Sequence, residues 1–387
     1  MPTHPPRVAV LIDTSTSWGR GTIKGIVDYI RASDRWVLSI DWRGIHEQLR
    51  LPCAWRGEGI IARVTSQALA RQIKSLAVPA VNVSWSAVPS SNVPQVTTDE
   101  RAAAQMAAEH FLERGFRHFA YVGNADQKNY IDRCGPVFAE IVLASGCSYY
   151  PYKARPSKGK GQHRLARFAN LEMWLKKTPK PLALFAWDAI RGRLVADACV
   201  SLGLKVPDEV SVLVGYDDDL MCETSMPPLS GIADCPEKVG HAAAALLDRL
   251  MHGDKPPQTA KCISPSGIVA RQSTDTLAYE DSELTAAMSY IRKHADKPIS
   301  VDDLLSVVSL SRRSLEQRFL QLLGRSPASE IRRIHLQRAQ DLLIRSELPI
   351  SKIAAASGFL YPEVLTRAFR RELGTSPTAF RRQFRTH

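Results

Sequence analysis

The 387-residue sequence contains no apolar run near the ~18 residues that a membrane-crossing helix requires. Its start, MPTHPPRVAVLID, lacks the basic segment, long apolar stretch and small-residue cleavage site of a signal peptide. Secretion and membrane insertion are therefore not expected, and a cytoplasmic protein is. There is no CxxC pair. The seven cysteines, Cys53, Cys134, Cys147, Cys199, Cys222, Cys235 and Cys262, are scattered, and no histidine cluster stands near them at zinc-ligand spacing. They read as small buried apolar side chains in a reducing compartment. A Gly-rich phosphate loop, a nucleophile elbow and an HExxH motif are all missing. Gly19-x-Gly21 lacks the third glycine of a dinucleotide fingerprint. No metal, no cofactor and no catalytic constellation are expected. Hydrophobic residues make up 44% and charged residues 23%, an ordinary globular balance with length for two or three domains.

The charge is uneven. Lys and Arg number 51 against 39 Asp and Glu, a net charge of +12. Residues 281–387 carry 18 cations and 11 anions, and the first 280 residues carry 33 and 28. More than half of the excess lies in under a third of the chain, mostly as Arg and without one cysteine. A basic terminal domain suggests a polyanion partner.

The first ~275 residues alternate short β-branched runs with helical stretches. RVAVLID (7–13), WVLSID (36–41), GIIARV (59–64), PAVNVS (79–84), HFAYVG (118–123), PLALFAW (181–187) and VSVLVGYDD (210–218) read as strands. Strict alternation indicates parallel sheets with crossover helices, here in two lobes with a cleft between them. Residues 252–283 break the rhythm as a last strand and a linker. From Leu284 the pattern is purely helical, with seven helices in about 100 residues. The expected domains are 1–278, a linker at 279–283, and 284–387.

The helical tail repeats internally. Leu315 and Leu365, Phe319 and Phe369, Gly324 and Gly374, Ser326 and Ser376, and Pro327 and Pro377 stand 50 apart. Upstream, Leu304 and Ile353, and Leu310 and Phe359, stand 49 apart, so the second copy holds one extra residue in its turn. Each copy reads as helix, tight turn, helix, over about 301–323 and 350–373. That is the helix-turn-helix arrangement, whose second helix can enter the DNA major groove. Leu315, Phe319, Leu322 and Leu323, and Val364, Leu365, Ala368, Phe369 and Leu373, form the expected apolar faces. The outward faces offer Ser311, Arg312, Arg313, Ser314, Gln317 and Arg318, and then Tyr361, Glu363, Thr366, Arg367 and Arg370. Arg and Gln can reach base edges bidentately, and Ser, Thr and Tyr suit phosphate oxygens.

In open α/β sheets ligands bind beyond the carboxyl ends of strands. Asp188 ends LFAWD, and Asp217, Asp218 and Asp219 end VLVGYDDD. Carboxylates there accept paired hydrogen bonds from vicinal sugar hydroxyls, and arginines donate to the same hydroxyls. The first strand's loop adds Asp13, Trp18 and Arg20, with Trp18 suited to an apolar sugar face. A helix N-cap is the other role open to each acid.

The tail resembles the AraC family of bacterial transcription regulators on Gly358-Phe359, Phe369, Gly374-Thr375-Ser376-Pro377 and Phe380-Arg381. In that family two such units are joined by a long helix, here IHLQRAQDLLIRS (334–346). The first part resembles the lac-repressor-like, periplasmic-binding-protein-type sensors, and the whole chain is similar to the bacterial xylose operon regulators. RVAVLIDTSTSWGRGTIKGI, VTTDERAAAQMAAEHFLERGFRHFAYVG, DEVSVLVGYDDD and PSGIVARQSTDTLA carry that likeness. It implies Asp188 and Asp217 as sugar-contacting acids, with Arg20 and Arg133 as arginine contacts. Around Asp188 this chain reads WDAIRGR where relatives read D-x-R-A-R, so Ile190 holds an arginine position and Arg191 is the neighbour that can compensate. The resemblance further implies double-stranded promoter DNA as partner, a sugar effector with D-xylose first, and a homodimer through the sensor. Activation and repression both stay open. The alternatives are a sugar-modifying enzyme with a DNA-binding tail, a regulator of another sugar, and a ligand-independent DNA binder.

Overall fold

The computed structural model describes residues 4–32, 36–40, 49–51, 55–86, 88, 93–123, 132–153, 163–279 and 281–384. Asp41, Cys53 and Glu280, named above within a strand, the cysteine set and the linker, lie outside them. The chain divides into two units: 1–109 with 117–275, and 276–387 with the short segment 110–116.

The first unit contains two parallel sheets. One has the order β2-β1-β3-β4, from β1 (Arg7–Leu11), β2 (Val37–Ile40), β3 (Gly59–Ala62) and β4 (Ala80–Asn82). The larger sheet uses β6 (His118–Val122), β7 (Ser148–Tyr152), β8 (Leu182–Ala186), β9 (Val210–Val214), β10 (Ser230–Ala233) and β12 (Gly267–Val269). Its order is β12-β10-β9-β8-β6-β7, and only β12 runs antiparallel. LALFA of β8 and VSVLV of β9 are buried at every position, as central parallel strands covered on both faces must be. A two-stranded pair joins β5 (Val96–Thr98) to β11 (Lys261–Ile263). The expected two-lobed α/β architecture is present.

Helix α1 (Ser17–Arg31) follows β1, and α8 (Pro236–Met251) follows β10 and packs on α1. A Cβ at Gly25 would stand 1.9 Å from the Glu237 carbonyl oxygen, and one at Gly240 1.9 Å from that of Thr22. Two glycines thus let two backbones meet. The sequence reading missed β5, β7 and β10, and it read one strand within 252–283 where the structure has two, β11 and β12. Three of these have three residues each, and β7, SYYPY, carries Pro151, which an edge strand tolerates because one of its sides needs no donor.

The second unit holds the seven expected helices: α9 (Ser282–Lys293), α10 (Val301–Leu305), α11 (Arg312–Leu323), α12 (Pro327–Arg345), α13 (Ile350–Ala356), α14 (Pro362–Leu373) and α15 (Pro377–Phe384). Helix α9 begins two residues before the expected boundary because Asp281 caps it, accepting from the Glu283 and Leu284 amides. Its 19 residues make α12 ~28 Å long, and it serves two cores. Ile331 and Ile334 pack with Leu304, Leu315 and Phe319, whereas Leu336, Ala339 and Leu343 pack with Ile353, Leu365 and Phe369. The sequence repeat has a local cause. Gly324 and Gly374 end α11 and α14 at φ +67°, while the Ser326 and Ser376 hydroxyls accept from the Ser329 and Ala379 amides. Pro327 and Pro377 then open the next helices.

The apolar faces are narrower than expected. Leu315, Phe319, Leu365, Ala368 and Phe369 are buried, but Leu322, Val364 and Leu373 are 42%, 43% and 38% exposed. Each helix meets its core through one or two residues per turn, so the neighbouring positions stay at the surface. Segment 110–116, at the end of α3 (Glu100–Leu112), belongs with this unit. Glu113 bridges Arg333 at 2.8 Å, the Ala278 amide donates to the Arg114 carbonyl at 2.8 Å, and the Tyr279 hydroxyl donates to the Glu113 carbonyl.

Candidate functional site

In the first unit three strand-end acids, Asp13, Asp188 and Asp217, each hold an arginine. Asp13, just past β1, is buried and accepts from Arg63 Nη1 at 2.6 Å and from the Thr16 hydroxyl at 2.7 Å. Asp188, just past β8, accepts from Arg191 Nη1 at 2.7 Å and caps α6 (Ala189–Leu202) through the Arg191 amide at 2.8 Å. The N-cap role and the charged pair coexist. The guanidinium beside Asp188 thus comes from Arg191, next to the half-exposed Ile190. Burial pushes the Asp188 carboxyl above its ordinary value, and the Arg191 contacts pull it back. Asp217, past β9, takes a bidentate contact from Arg271 at 2.7 and 3.3 Å. Asp218 caps α7 (Asp219–Glu223) and accepts from the Ser17 hydroxyl at 3.0 Å, which ties the start of α1 to the end of β9.

Aromatic rings join these pairs. Trp18 and Trp85 lie 4.9 Å apart between centroids. Trp85 meets Tyr216 at 5.0 Å and Trp187 at 6.0 Å, and Trp187 meets Tyr216 at 5.3 Å. The Arg63 guanidinium lies 5.8 Å over Trp18 and 5.5 Å over Trp85, and that of Arg191 lies 5.4 Å over Trp187. The indole N–H groups of Trp18 and Trp85 are buried and donate to nothing among the described residues. Such donors beside charge-paired carboxylates and flat ring faces match the chemistry of a polyhydroxyl ligand.

The structure therefore brings Asp13, Trp18, Asp188 and Arg191 into one constellation, with Asp217 next to its Tyr216 edge. It leaves two expected contacts outside. Arg20 is exposed and donates to the Thr14 carbonyl at 3.1 Å, and Arg133 is exposed at the start of α4 (Cys134–Ala144). A helical residue nine positions past a strand, and a residue opening a helix, are both exposed here. Arg63, Trp85, Trp187, Tyr216 and Arg271 were not singled out. Arg63, Trp85, Trp187 and Tyr216 follow β3, β4, β8 and β9 within one to three residues, so the strand-end rule that picked Asp188 could have found them. Past β10, Asp234 has a buried carboxylate oxygen with no partner among the described residues. Burial, then the nearby Asp217 charge, pushes it up to about 8.

In the second unit, α10–α11 and α13–α14 are the two helix-turn-helix pairs. Gly358 turns the second at φ +75°, and a Cβ there would stand 2.5 Å from the His335 ring and 2.7 Å from the Lys297 carbonyl oxygen. Of the outward residues on α11, Arg313 and Gln317 are exposed, and Ser314 is partly so. Ser311 accepts from the Ser314 amide as N-cap. Arg312 pairs with Asp302 at 3.0 Å and Glu316 at 3.4 Å, and Arg318 with Asp281 at 2.6 Å. On α14, Glu363, Thr366, Arg367 and Arg370 line one groove with Pro362, and Tyr361 is exposed beside it. Among the described residues no group of three or more His, Cys, Asp or Glu could hold a metal ion, and no helix is long and apolar enough to cross a membrane.

Three family models match: an XylR N-terminal domain over residues 7–101, a periplasmic binding protein-like domain over 108–274, and a helix-turn-helix domain over 304–383. The xylose operon regulatory protein of Escherichia coli (strain K12) is 28% identical over 386 residues, covering 97% of this chain and 96% of its own. That of Haemophilus influenzae is 27% identical, with 97% and 98% covered. The solved structure of the xylose-binding transcription activator XylR matches over the whole of both chains at 26% identity and a TM-score of 0.62. A complex of the regulator CelR with cellobiose, 18% identical with a TM-score of 0.52, shares the fold of the first unit. The chain is thus homologous to the xylose operon regulatory proteins over 97% of its length: a transcription regulator, not an enzyme, with a periplasmic-binding-protein-like domain followed by a helix-turn-helix domain.

Proposed function

We propose that the first unit binds a pentose, D-xylose first, and that binding controls how the tail engages the promoter of pentose-catabolic genes. The observation that carries this is the set of rings Trp18, Trp85, Trp187 and Tyr216 flanked by the Asp13–Arg63 and Asp188–Arg191 pairs. Rings of this kind suit the C–H faces of a sugar, and each carboxylate keeps lone pairs for hydroxyl donors after its arginine is satisfied. The names of the full-length relatives give the sugar. The protein acts as a cytoplasmic homodimer through its first unit, and α11 and α14 enter successive major grooves of double-stranded DNA.

Isothermal titration of the full chain against pentoses and hexoses tests this reading. One pentose is expected to bind best. Asp188→Asn, which keeps shape and removes charge, is expected to weaken it by about tenfold or more, as losing a charged hydrogen-bond partner costs ~1.5–3 kcal/mol. Equal affinity in the variant refutes the site, and silence across the panel refutes the sugar.

A further inference from the structure

The extra residue in the second turn leaves an unexplained surface. Counted from the N-caps Ser311 and Tyr361, the two copies run in step, with Ser314 matching Val364. Phe359 takes the core place, so Leu360 is left over and is 70% exposed. Tyr361 is 63% exposed and makes no side-chain cap bond, and Val364 is 43% exposed. Where the first copy shows two serines, the second shows Tyr and Val with a Leu before them. Leu360 and the extended N-cap Tyr361 come just before α14 and Val364 stands in its first turn, so all three lie at the N-terminal end of that helix. Beside that end lies the groove of Glu363, Thr366, Arg367 and Arg370, and neither arginine forms an ion pair among the described residues.

An apolar protein partner would not call for two unpaired cations beside it. A DNA major groove offers anionic phosphates and one apolar group on its base edges, the thymine C5-methyl. We infer that Leu360, Tyr361 and Val364 form an apolar reader of thymine methyl groups, so that the second helix-turn-helix selects its half-site by methyl contact more than by hydrogen bonding. This rests on the reading that α14 enters the groove. The first copy, with Ser311, Ser314 and Gln317 at its outward face, reads by polar contact instead.

The test uses the full chain and a duplex that it selects from a random library. Each thymine of the selected site is replaced in turn by deoxyuridine, which removes only the methyl group, and affinity is read by fluorescence anisotropy. At one or two positions in one half-site the affinity is expected to fall about fivefold, the effect of one buried methyl group. The double variant Leu360→Ala, Val364→Ala is expected to bind thymine and uracil duplexes alike. Its melting temperature should be unchanged, because both side chains are exposed. If the wild-type chain ignores every replacement, or the double variant still distinguishes the duplexes, the methyl reader is refuted and DNA binding stands. If no duplex is selected at all, the reading of α14 fails with it.

Discussion

At the residue scale, the acids of the proposed sugar site are already paired with arginines. Asp13, Asp188 and Asp217 each face a guanidinium at 2.6–2.7 Å. An unpaired buried carboxylate would be far costlier than one that shares an arginine with an incoming hydroxyl. Among the described residues, the indole N–H groups of Trp18 and Trp85 stay without a hydrogen-bond partner. Trp85→Phe keeps a ring and removes the donor, so sugar affinity is expected to fall about fivefold in titration, the effect of one net hydrogen bond of ~1 kcal/mol. Asp234 differs, because no arginine among the described residues is paired with it and its folded-state value is pushed up to about 8. The unfolded chain releases this proton near pH 4 and the folded chain only near 8. The group's stabilising contribution is therefore complete below about pH 4 and lost as pH rises towards 8, by up to ~1.4 kcal/mol per pH unit. Asp234→Asn is expected to flatten the fall of melting temperature between pH 5 and 8, and to melt higher than wild type at pH 8. Parallel melting curves for the two proteins across that range would contradict the assignment.

At the element scale, glycine has two different roles in the tail. Gly324 and Gly374 end helices at φ +67° with nothing within 4 Å of a Cβ, whereas Gly358 meets the His335 ring and the Lys297 carbonyl. Gly374→Ala is expected to lower stability by only ~1–2 kcal/mol, the left-handed penalty alone. Gly358→Ala adds a clash with backbone, which cannot swing away, and is expected to unfold the second helix-turn-helix; thermal melting of the full chain separates the two outcomes. The same contrast explains what was legible in the sequence. Gly324, Ser326, Pro327 and their partners 50 residues on are local signals, so both helix pairs could be read from the chain. Strands β8 and β9 were legible because burial on both faces forces runs of Ala, Val, Leu and Phe, broken only by Ser211. Short β5 and β11 were not, since their pairing depends on a strand ~160 residues distant. The acids of the proposed sugar site were legible from their place after strands. Arg271 was not, because only the fold brings it to Asp217; Arg63 stands at the end of β3 like the acids, but its pairing with Asp13 is set by the fold alone. Arg20 came from the loop after the first strand as well as from resemblance, and Arg133 from resemblance alone; both are exposed in the structure. Val364 read as core because its outward register depends on how narrow a stripe α14 buries.

At the scale of the whole molecule, the basic excess of the tail overstates what is free to meet DNA. Arg312, Arg318, Arg333 and Arg371 are already in ion pairs with acids of the same unit, whereas Arg367 and Arg370 are exposed beside the α14 groove. Arg318 and Arg367 occupy matching helices and should behave oppositely. Arg318 holds Asp281, the residue that caps α9, so its charge supports the fold. Because Arg318 is 38% exposed, solvent screens that pair, and Arg318→Ala is expected to lower stability by only about 0.5–1 kcal/mol. The salt dependence of DNA binding should be unchanged. Arg367→Ala is expected to leave the melting temperature where it is and to change binding. If Arg367 meets phosphate, the slope of log affinity against log salt becomes shallower by about one; if it meets a base edge, preference relaxes at a single position with the slope unchanged. Binding isotherms at four or five salt concentrations, run with melting curves of both variants, decide the matter. A slope changed by Arg318→Ala, or a melting temperature lowered by Arg367→Ala, would reverse the division between the arginines that build the domain and those that bind DNA.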